Sequence, residues 1–357
     1  MTSANARITP ATPDPVGSVT HDRRATDASM HAPGRGAENS RDTFHSKPDV
    51  AAETLPLGDG AIDWVGMQGI QMPILFDAGD GDPQRCRARV DAFVNLVCPD
   101  RRGIHMSRLY LLLNQYLGEG AVDAQTLESL LHAFLQSHHD LANCARIGIH
   151  FGHMVRRKAL RSNHHGWRAY PVSIDATLIG GVFRMNLGTQ VVYSSTCPAS
   201  AALSRQLVQQ RFAADFGAGE PLTHAAVFEW LGSERGMAGT PHAQRSVAHI
   251  CVRFVHGASI NLIALIDRIE RSLRTAVQTA VKREDEQAFA QANAENPMFC
   301  EDAARRIRRA IETDDGIAAF QVCVEHQESL HAHDAVAQVS RNFPGSGHAI
   351  GLDHGFF

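Results

Sequence analysis

The chain has 357 residues, 44% of them hydrophobic and 20% charged, with a formal net charge of -4; its mass is 38.9 kDa and its sequence pI about 6.6. That length allows one large domain or two ordinary ones with a real core, while the charge excludes a global nucleic-acid footprint, so any anion site has to be local. Seven cysteines without a C-x-x-C pair exclude a disulfide framework and point to a reducing compartment, so a cytoplasmic location is expected.

No apolar run approaches the ~18–20 residues that cross a bilayer as a helix. Arg23 and Arg24 have no apolar stretch behind them, so no secretory leader is expected. Residues 1–55 carry Pro, Ser, Thr, Asp, Gly and Ala in no period, with Phe44 as their one aromatic. Such a segment cannot bury enough apolar surface to offset its ordering entropy and is expected to be a disordered tail.

From "GIQMPILF" onwards the pattern is informative. That run and the alternating "RCRARVDAFVNLV" read as strands. "SRLYLLLNQYL" has helical spacing with Ser107 as its cap, and "DAQTLESLLHAFLQSHH" has Asp123 as cap with Leu127, Leu130, Leu131 and Phe134 on one face. Strands return in "ARIGIHFGHMV" and "AYPVSIDATLIGGVFRMNLGTQVVYSS". A helical-looking insert follows, starting at "LSRQLVQQRF", and then the order repeats. The strand "SVAHICVRFV" precedes the helices "INLIALIDRIERSLRTAV" and "MFCEDAARRIRRAIE", and the strands "AAFQVCVEH" and "AVAQVS" close the set. Strands, paired helices and strands, twice over, define an α+β layer with an antiparallel sheet and helices on one face.

Four stretches hold metal-ligand residue types: Cys197 in "TCPAS", His242 in "TPHAQRS", Glu286 in "VKREDEQAF", and Glu328, His331 and His333 in "ESLHAHDA". Cysteine, histidine and carboxylate are ordinary ligands of Zn²⁺ and similar metals, and three with an open position make a catalytic layout. Taken singly, each has a plainer reading. Cys197 is a core thiol, His242 lines a turn, Glu286 sits on a solvated charged face, and Glu301 in "FCEDAARR" favours a helix's first turn. His331 and His333, two apart, would share one face of a strand. Arg101, Arg102, His105 and Arg108 cluster about a helix start, where backbone N–H groups and guanidinium forks suit phosphate, and Arg245, Lys282 and Arg283 add charge.

Seven motifs tie these stretches together in chain order: "IDWVGMQGIQMPI", "RGIHMSRLYLLL", "YSSTCPAS", "TPHAQRS", "VKREDEQAF", "NPMFCEDAARR" and "ESLHAHDAVA". Over roughly residues 56–340 the chain closely resembles the type IB GTP cyclohydrolase family, the prokaryotic form of GTP cyclohydrolase I. The resemblance implies a bimodular tunnelling fold, with modules over residues 56–190 and 191–345, assembled as a homotetramer. It implies conversion of GTP and water to 7,8-dihydroneopterin triphosphate and formate, opening folate synthesis and in some bacteria the route to deazaguanine-modified tRNA. It also implies a divalent metal, zinc or manganese, on Cys197, His242 and Glu286. His331 falls on the active-site histidine with Glu328 beside it, and Glu301 falls on the position read as the guanine anchor. His105, Arg108, Arg245 and Lys282 are the expected substrate-binding cations, with no nucleic-acid or membrane partner.

One position departs from the family. Where its motif reads Cys-Pro-Cys-Ser, this chain has Cys197-Pro198-Ala199-Ser200, so the family's essential second thiol is a methyl group. A divergent or catalytically impaired member that binds metal and purine nucleotide is therefore the alternative to a full GTP cyclohydrolase. A pure assembly protein on the same scaffold is disfavoured, having no need for Cys197, His242 and Glu286 together.

Overall fold

The computed structural model describes residues 49, 51, 60–219 and 221–343. The expected tail falls outside these, apart from Asp49 and Ala51. Eight strands form one antiparallel sheet in simple chain order, β1 to β8. They are β1 (Ile62–Phe76), β2 (Gln84–Leu96), β3 (Cys144–Lys158), β4 (His165–Ile179), β5 (Val182–Thr196), β6 (Ala243–Phe254), β7 (Ile317–His326) and β8 (Ala335–Arg341). Helices α1 (Met106–Leu117) and α2 (Ala124–Ser137) lie between β2 and β3. Between β6 and β7 come α5 (Leu262–Leu273), α6 (Arg283–Ala294) and α7 (Cys300–Glu312), and the β5–β6 insertion holds α3 (Pro198–Asp215) and α4 (His224–Gly232).

Two strands, helices and two strands thus occur twice, which is the doubled layer expected from the sequence. The repeat turns over at the β4–β5 hairpin, where Gly180 (φ 58°) and Gly181 (φ 75°) both take the left-handed conformation that a two-residue primed turn requires. Residues 190 and 191, where the sequence reading divides the modules, lie inside β5, because a strand shared by one continuous ladder carries no boundary signal.

The helices form because their apolar residues recur at helical spacing. On α7, Cys300, Ala303, Ala304, Ile307 and Ile311 are buried, and on α5 Leu262, Leu265, Ile266, Ile269 and Leu273 are. These faces join the strands' inward residues in one core. Asp123 caps α2 as expected, accepting from the Thr126 N–H at 2.7 Å. Ser107 does not cap α1: His105 occupies that position without a side-chain bond, and Ser107 lies in the first turn.

The helix expected to run on to Val277 ends at Leu273, with Arg274 left-handed at φ 69°. Residues 275–277 instead lie beside the upper part of β5. Ser194 N–H donates to Thr275 O at 2.9 Å and Val277 N–H to Val192 O at 3.2 Å. Here β4 has parted from β5, whose ladder with β4 reaches only to Val172–Thr189. The vacated edge of β5 pairs with the 275–277 segment, and the next residues close over Gly166. A Cβ at Gly166 would stand 2.1 Å from Thr279 Oγ1, so no larger residue fits there without displacing that segment.

The "VKREDEQAF" run, read as a solvated face, is helix α6, and one of its carboxylates is fully buried. Asp285 accepts N–H bonds from Arg161 at 2.7 Å, Ser162 at 2.9 Å and Lys282 at 2.9 Å. It pins the start of α6 to the β3–β4 turn. Burial works to raise this carboxyl, yet the hydrogen bonds from Ser162, Lys282 and Arg161 outweigh it and hold it well below the usual carboxylate range. A depressed folded pKa contributes stability above the unfolded carboxylate value, about 3.9, and that stability is lost as the pH falls below it. Asp285→Asn is therefore expected to lower the melting temperature at pH 7, with the gap to the parent narrowing below about pH 4. Thermal melts of both proteins across pH 3–7 check this, and a pH-independent gap would mean that the carboxylate charge is not what holds α6.

Candidate functional site

The "TCPAS" stretch sits where β5 runs into α3. Thr196 ends the strand, Cys197 precedes the helix, and Pro198 is its first residue, where the missing N–H costs nothing. A reciprocal clasp holds this corner to the start of β6. The Cys197 N–H donates to His242 O at 3.2 Å, and the His242 N–H donates to Ser200 Oγ at 3.1 Å. Cys197 and His242, far apart in sequence, are thereby made neighbours, and both are half-buried.

The imidazole of His242 has a defined set of partners. Its Nδ1 lies 3.1 Å from Gln244 Oε1, 3.5 Å from Ser329 Oγ and 3.9 Å from Glu328 Oε2. Gln244 donates its Nε2 to Glu328 Oε1 at 3.3 Å, so its carbonyl oxygen faces the ring. The proton then belongs on Nδ1, and Nε2 keeps its lone pair for a ligand. Glu328 is held in turn by its N–H, which donates to Asp334 Oδ1 at 3.2 Å.

The third expected ligand stands apart. Glu286 is exposed in the first turn of α6, where it lines a shallow depression with Lys282 and Arg283. Among the described residues no three His, Cys, Asp or Glu side chains converge as a ligand set. The donor chemistry of Cys197 and His242 suits a divalent metal, whereas Glu286 is not grouped with them within this chain.

His331 and His333 lie in the β7–β8 loop rather than on a strand, because β7 ends at His326 and β8 begins at Ala335. Both are exposed, with rings stacked at 5.0 Å and 12°. Glu301 is exposed in the first turn of α7, and its Oε2 accepts from the Cys300 thiol at 3.3 Å. The backbone N–H at its own position and then that thiol draw its carboxyl below the ordinary value. Met298 N–H donates to Thr196 O at 3.0 Å, which fixes the entry to α7 against the end of β5, beside Cys197.

The expected phosphate cations divide. Arg245 is exposed on β6, and its carbonyl accepts from Gln327 N–H at 3.2 Å, next to the His242 corner. Lys282 caps α6 beside Glu286. His105 and Arg108 line a pocket of about 270 Å³ with Arg101, His138 and His139. There His105 Nε2 lies 3.4 Å from Asp49 Oδ2, and Arg108 donates to Ser137 O at 2.7 Å.

Residues that sequence reasoning did not single out complete the corner. Besides Gln244 and Ser200, there is a buried tyrosine–histidine pair: Tyr193 Oη lies 2.9 Å from His326 Nε2. Tyr193 is on the inward face of β5 with Leu187, Val191 and Ser195, and His326 ends β7 on the face of Phe320, Val322 and Val324. Strand alternation was the available signal, since it places a polar ring on a buried face in each case.

Comparison with known proteins now adds a family. The sequence model described as "Type I GTP cyclohydrolase folE2" matches residues 48–337. GTP cyclohydrolase FolE2 of Pseudomonas putida (strain GB-1) is 48% identical over 291 residues, covering 81% of this chain and 94% of that one. GTP cyclohydrolase FolE2 of Hydrogenovibrio crunogenus (strain DSM 25203 / XCL-2) is 42% identical over 298 residues, covering 84% and 95%. The chain belongs to the type I GTP cyclohydrolase FolE2 family. Among solved structures, uricase from Arthrobacter globiformis aligns over 83% of this chain and 98% of its own with 10% identity and a TM-score of 0.44, a likeness too distant to bear on the site. No helix among the described residues is long and apolar enough to cross a membrane.

Proposed function

We propose that this chain converts GTP and water to 7,8-dihydroneopterin triphosphate and formate, the entry to folate biosynthesis, as a type IB enzyme of its family. The observation that carries the reading is the clasped corner. A backbone bond joins Cys197 to His242 there, Glu328 stands 3.9 Å from the His242 ring, and the entry to α7, which carries Glu301, is hydrogen-bonded to the end of β5. A carboxylate offers two acceptors for the N1–H and N2–H donors of guanine, so Glu301 anchors the base. His105, Arg108, Arg245 and Lys282 are the cations for the triphosphate, whose charge requires several donors.

Cys197, His242 and Glu286 would hold the metal, zinc or manganese. The Nδ1–H tautomer set by Gln244 supports this, because it leaves Nε2 of His242 open to a cation. When bound, such a metal supplies the Lewis acidity that lets water act as a nucleophile near neutral pH. The remaining work falls to side chains. Glu328, poised 3.9 Å from His242 Nδ1, keeps that ring oriented. His331, on the same loop, is the group for moving protons at the ring nitrogens and the ribose as formate leaves, since imidazole titrates nearest to neutrality. Metal analysis of the purified protein is expected to give about one divalent ion per chain. Cys197→Ala is expected to lose most of it, and equal content in the two proteins would overturn the ligand set.

Assembly belongs to this reading. Among the described residues β1 and β8 each have one strand neighbour, and apart from a bridge between Leu75 and Ala121 their outer edges are open. Open edges are paired or covered in stable proteins, and a closed ring of copies pairs them. A homotetramer is the expected species, and a monomeric mass by light scattering at micromolar concentration would refute it.

A second reading, a member that binds nucleotide and metal but turns over slowly, is favoured by Ala199. The decisive assay incubates the protein with GTP and follows the neopterin fluorophore, beside an Ala199→Cys variant at equal metal content. Restoring a positioned proton-transfer group is expected to raise kcat by ~10²–10⁴-fold with KM nearly unchanged. Equal rates for the two proteins would show that the thiol is dispensable here.

A further inference from the structure

The corner beside Glu301 contains a polar pair that the reaction as described does not use. Tyr193, Ser246 and His326 are opposite one another across β5, β6 and β7, in register and on one face. Ser246 is small and fully buried, so the tyrosine ring passes over it to reach the histidine. The two rings meet edge to face at 5.8 Å and 73°. Tyr193 is 0% exposed and His326 3% exposed. A tyrosine hydroxyl this deep keeps its proton, since burial pushes its pKa far up, and it is a donor. Where it donates to His326 Nε2, 2.9 Å away, the ring's proton is on Nδ1. Burial also drives His326 down to about 4, against a smaller opposing pull from the Glu301 carboxylate, so the imidazole is neutral at pH 7. Glu301 itself is held through Cys300, whose thiol is felt at Tyr193. The pair is a fixed, uncharged donor beside the residue read as the guanine anchor.

We propose that His326 is a second base-reading residue, whose Nδ1–H, locked in place by Tyr193, donates to O6 of the guanine held by Glu301. The inference rests on the Glu301 reading. In guanine, O6 adjoins N1 on the edge that a carboxylate grips through N1–H and N2–H. A neutral donor is what O6 needs there. A lysine or arginine would instead neutralise Glu301 and lose the discrimination. A buried N–H without its acceptor is costly, so the site rejects bases that carry an amino group or no acceptor at position 6. Tyr193 is a positioning residue in this scheme: it touches no ligand and fixes the tautomer.

The test is calorimetric titration of the full chain with 7-deaza-GTP, which lacks the N7–C8 bond that water attacks but keeps the guanine edge. Its 6-thio counterpart, with a poor acceptor at position 6, is titrated in parallel. The parent is expected to prefer the oxo form about tenfold. His326→Gln keeps an acceptor for Tyr193 and has no donor at the Nδ1 position. It should lose about tenfold for the oxo form and little for the thio form, closing the gap. His326→Asn, which places an amide N–H near Nδ1, should keep the gap, and Tyr193→Phe should narrow it by releasing the tautomer. A parent without preference between the two forms overturns the proposal even if His326→Gln fails to fold. So does a folded His326→Gln that weakens both forms equally, which is what a merely structural role would give. Glu301→Gln is titrated separately. If it leaves affinity unchanged while the oxo–thio gap persists, the Glu301 reading falls and the His326 contact stands.

Discussion

Two hydrogen bonds hold the molecule's chemistry in place: Cys197 N–H to His242 O, and His242 N–H back to Ser200 Oγ. Between these partners the chain makes a long excursion through α3 and α4. Closing such a loop has an entropic cost that grows only slowly with its length, so a few well-made bonds at its mouth suffice. The β5–β6 ladder runs right up to them, with Thr196 opposite Ala243. The insertion is therefore free to vary in shape while its base stays fixed. Its own stability is local: Asp215 binds Arg211, Arg235 and the Trp230 indole, and Phe212 and Phe216 meet the Trp230 ring edge to face. The clasp separates that outer structure from the site below it.

The sheet does the rest by register. Once β5, β6 and β7 are paired, Tyr193, Ser246 and His326 have no choice but to face one another, and Gln244 must lie next to His242. A second set of contacts ties the two halves of the pattern. Arg157 and Arg168 from β3 and β4 flank the Tyr170 ring at 5.2 and 5.6 Å, and Arg168 binds Glu270 of α5 at 2.7 Å. Tyr170 donates to the same carboxylate at 2.6 Å. Charges this shielded hold only when each finds its partners, so the strands of the first half and the helix of the second must arrive together. That interdependence explains why the described residues form one compact unit.

How far the sequence could be read follows from the range of each interaction. The helices α1, α2, α5 and α7 and the strands were visible because their periodicity is local, and Asp123 was visible as a cap for the same reason. Cys197, His242, Glu301 and Glu328 were named through motifs; the structure puts Cys197, His242 and Glu328 at the ends of β5, β6 and β7, and Glu301 in the first turn of α7. Other features were invisible from local pattern. Asp285 looked like one charge in a charged run, yet three backbone N–H groups bury it, two of them more than a hundred residues away. Tyr193 and His326 each fall on an apolar strand face, and only cross-strand register makes them a pair. Glu286 marks the other limit: the motif put it with Cys197 and His242, while the fold of a single chain sets it on another element.

Ala199 tests which of these levels a residue serves. It is exposed at the second position of α3, and its neighbours in the clasp use backbone atoms and the Ser200 hydroxyl. Nothing in the packing distinguishes a thiol from a methyl there, so the fold is indifferent to the exchange. The chemistry is not. A helix N-terminus is where backbone dipoles lower a thiol's pKa and make it reactive near neutral pH. The family's second cysteine would occupy that place, two residues from Cys197, the proposed metal ligand. The Cys300 thiol at the start of α7 is a poor substitute. Burial and the Glu301 carboxylate push Cys300 up to about 11, so it stays protonated and serves as a hydrogen-bond donor. Under the proposed mechanism, architecture, base contact and metal ligands are kept intact while the proton-transfer step alone is altered, because the fold makes no demand on the side chain at position 199.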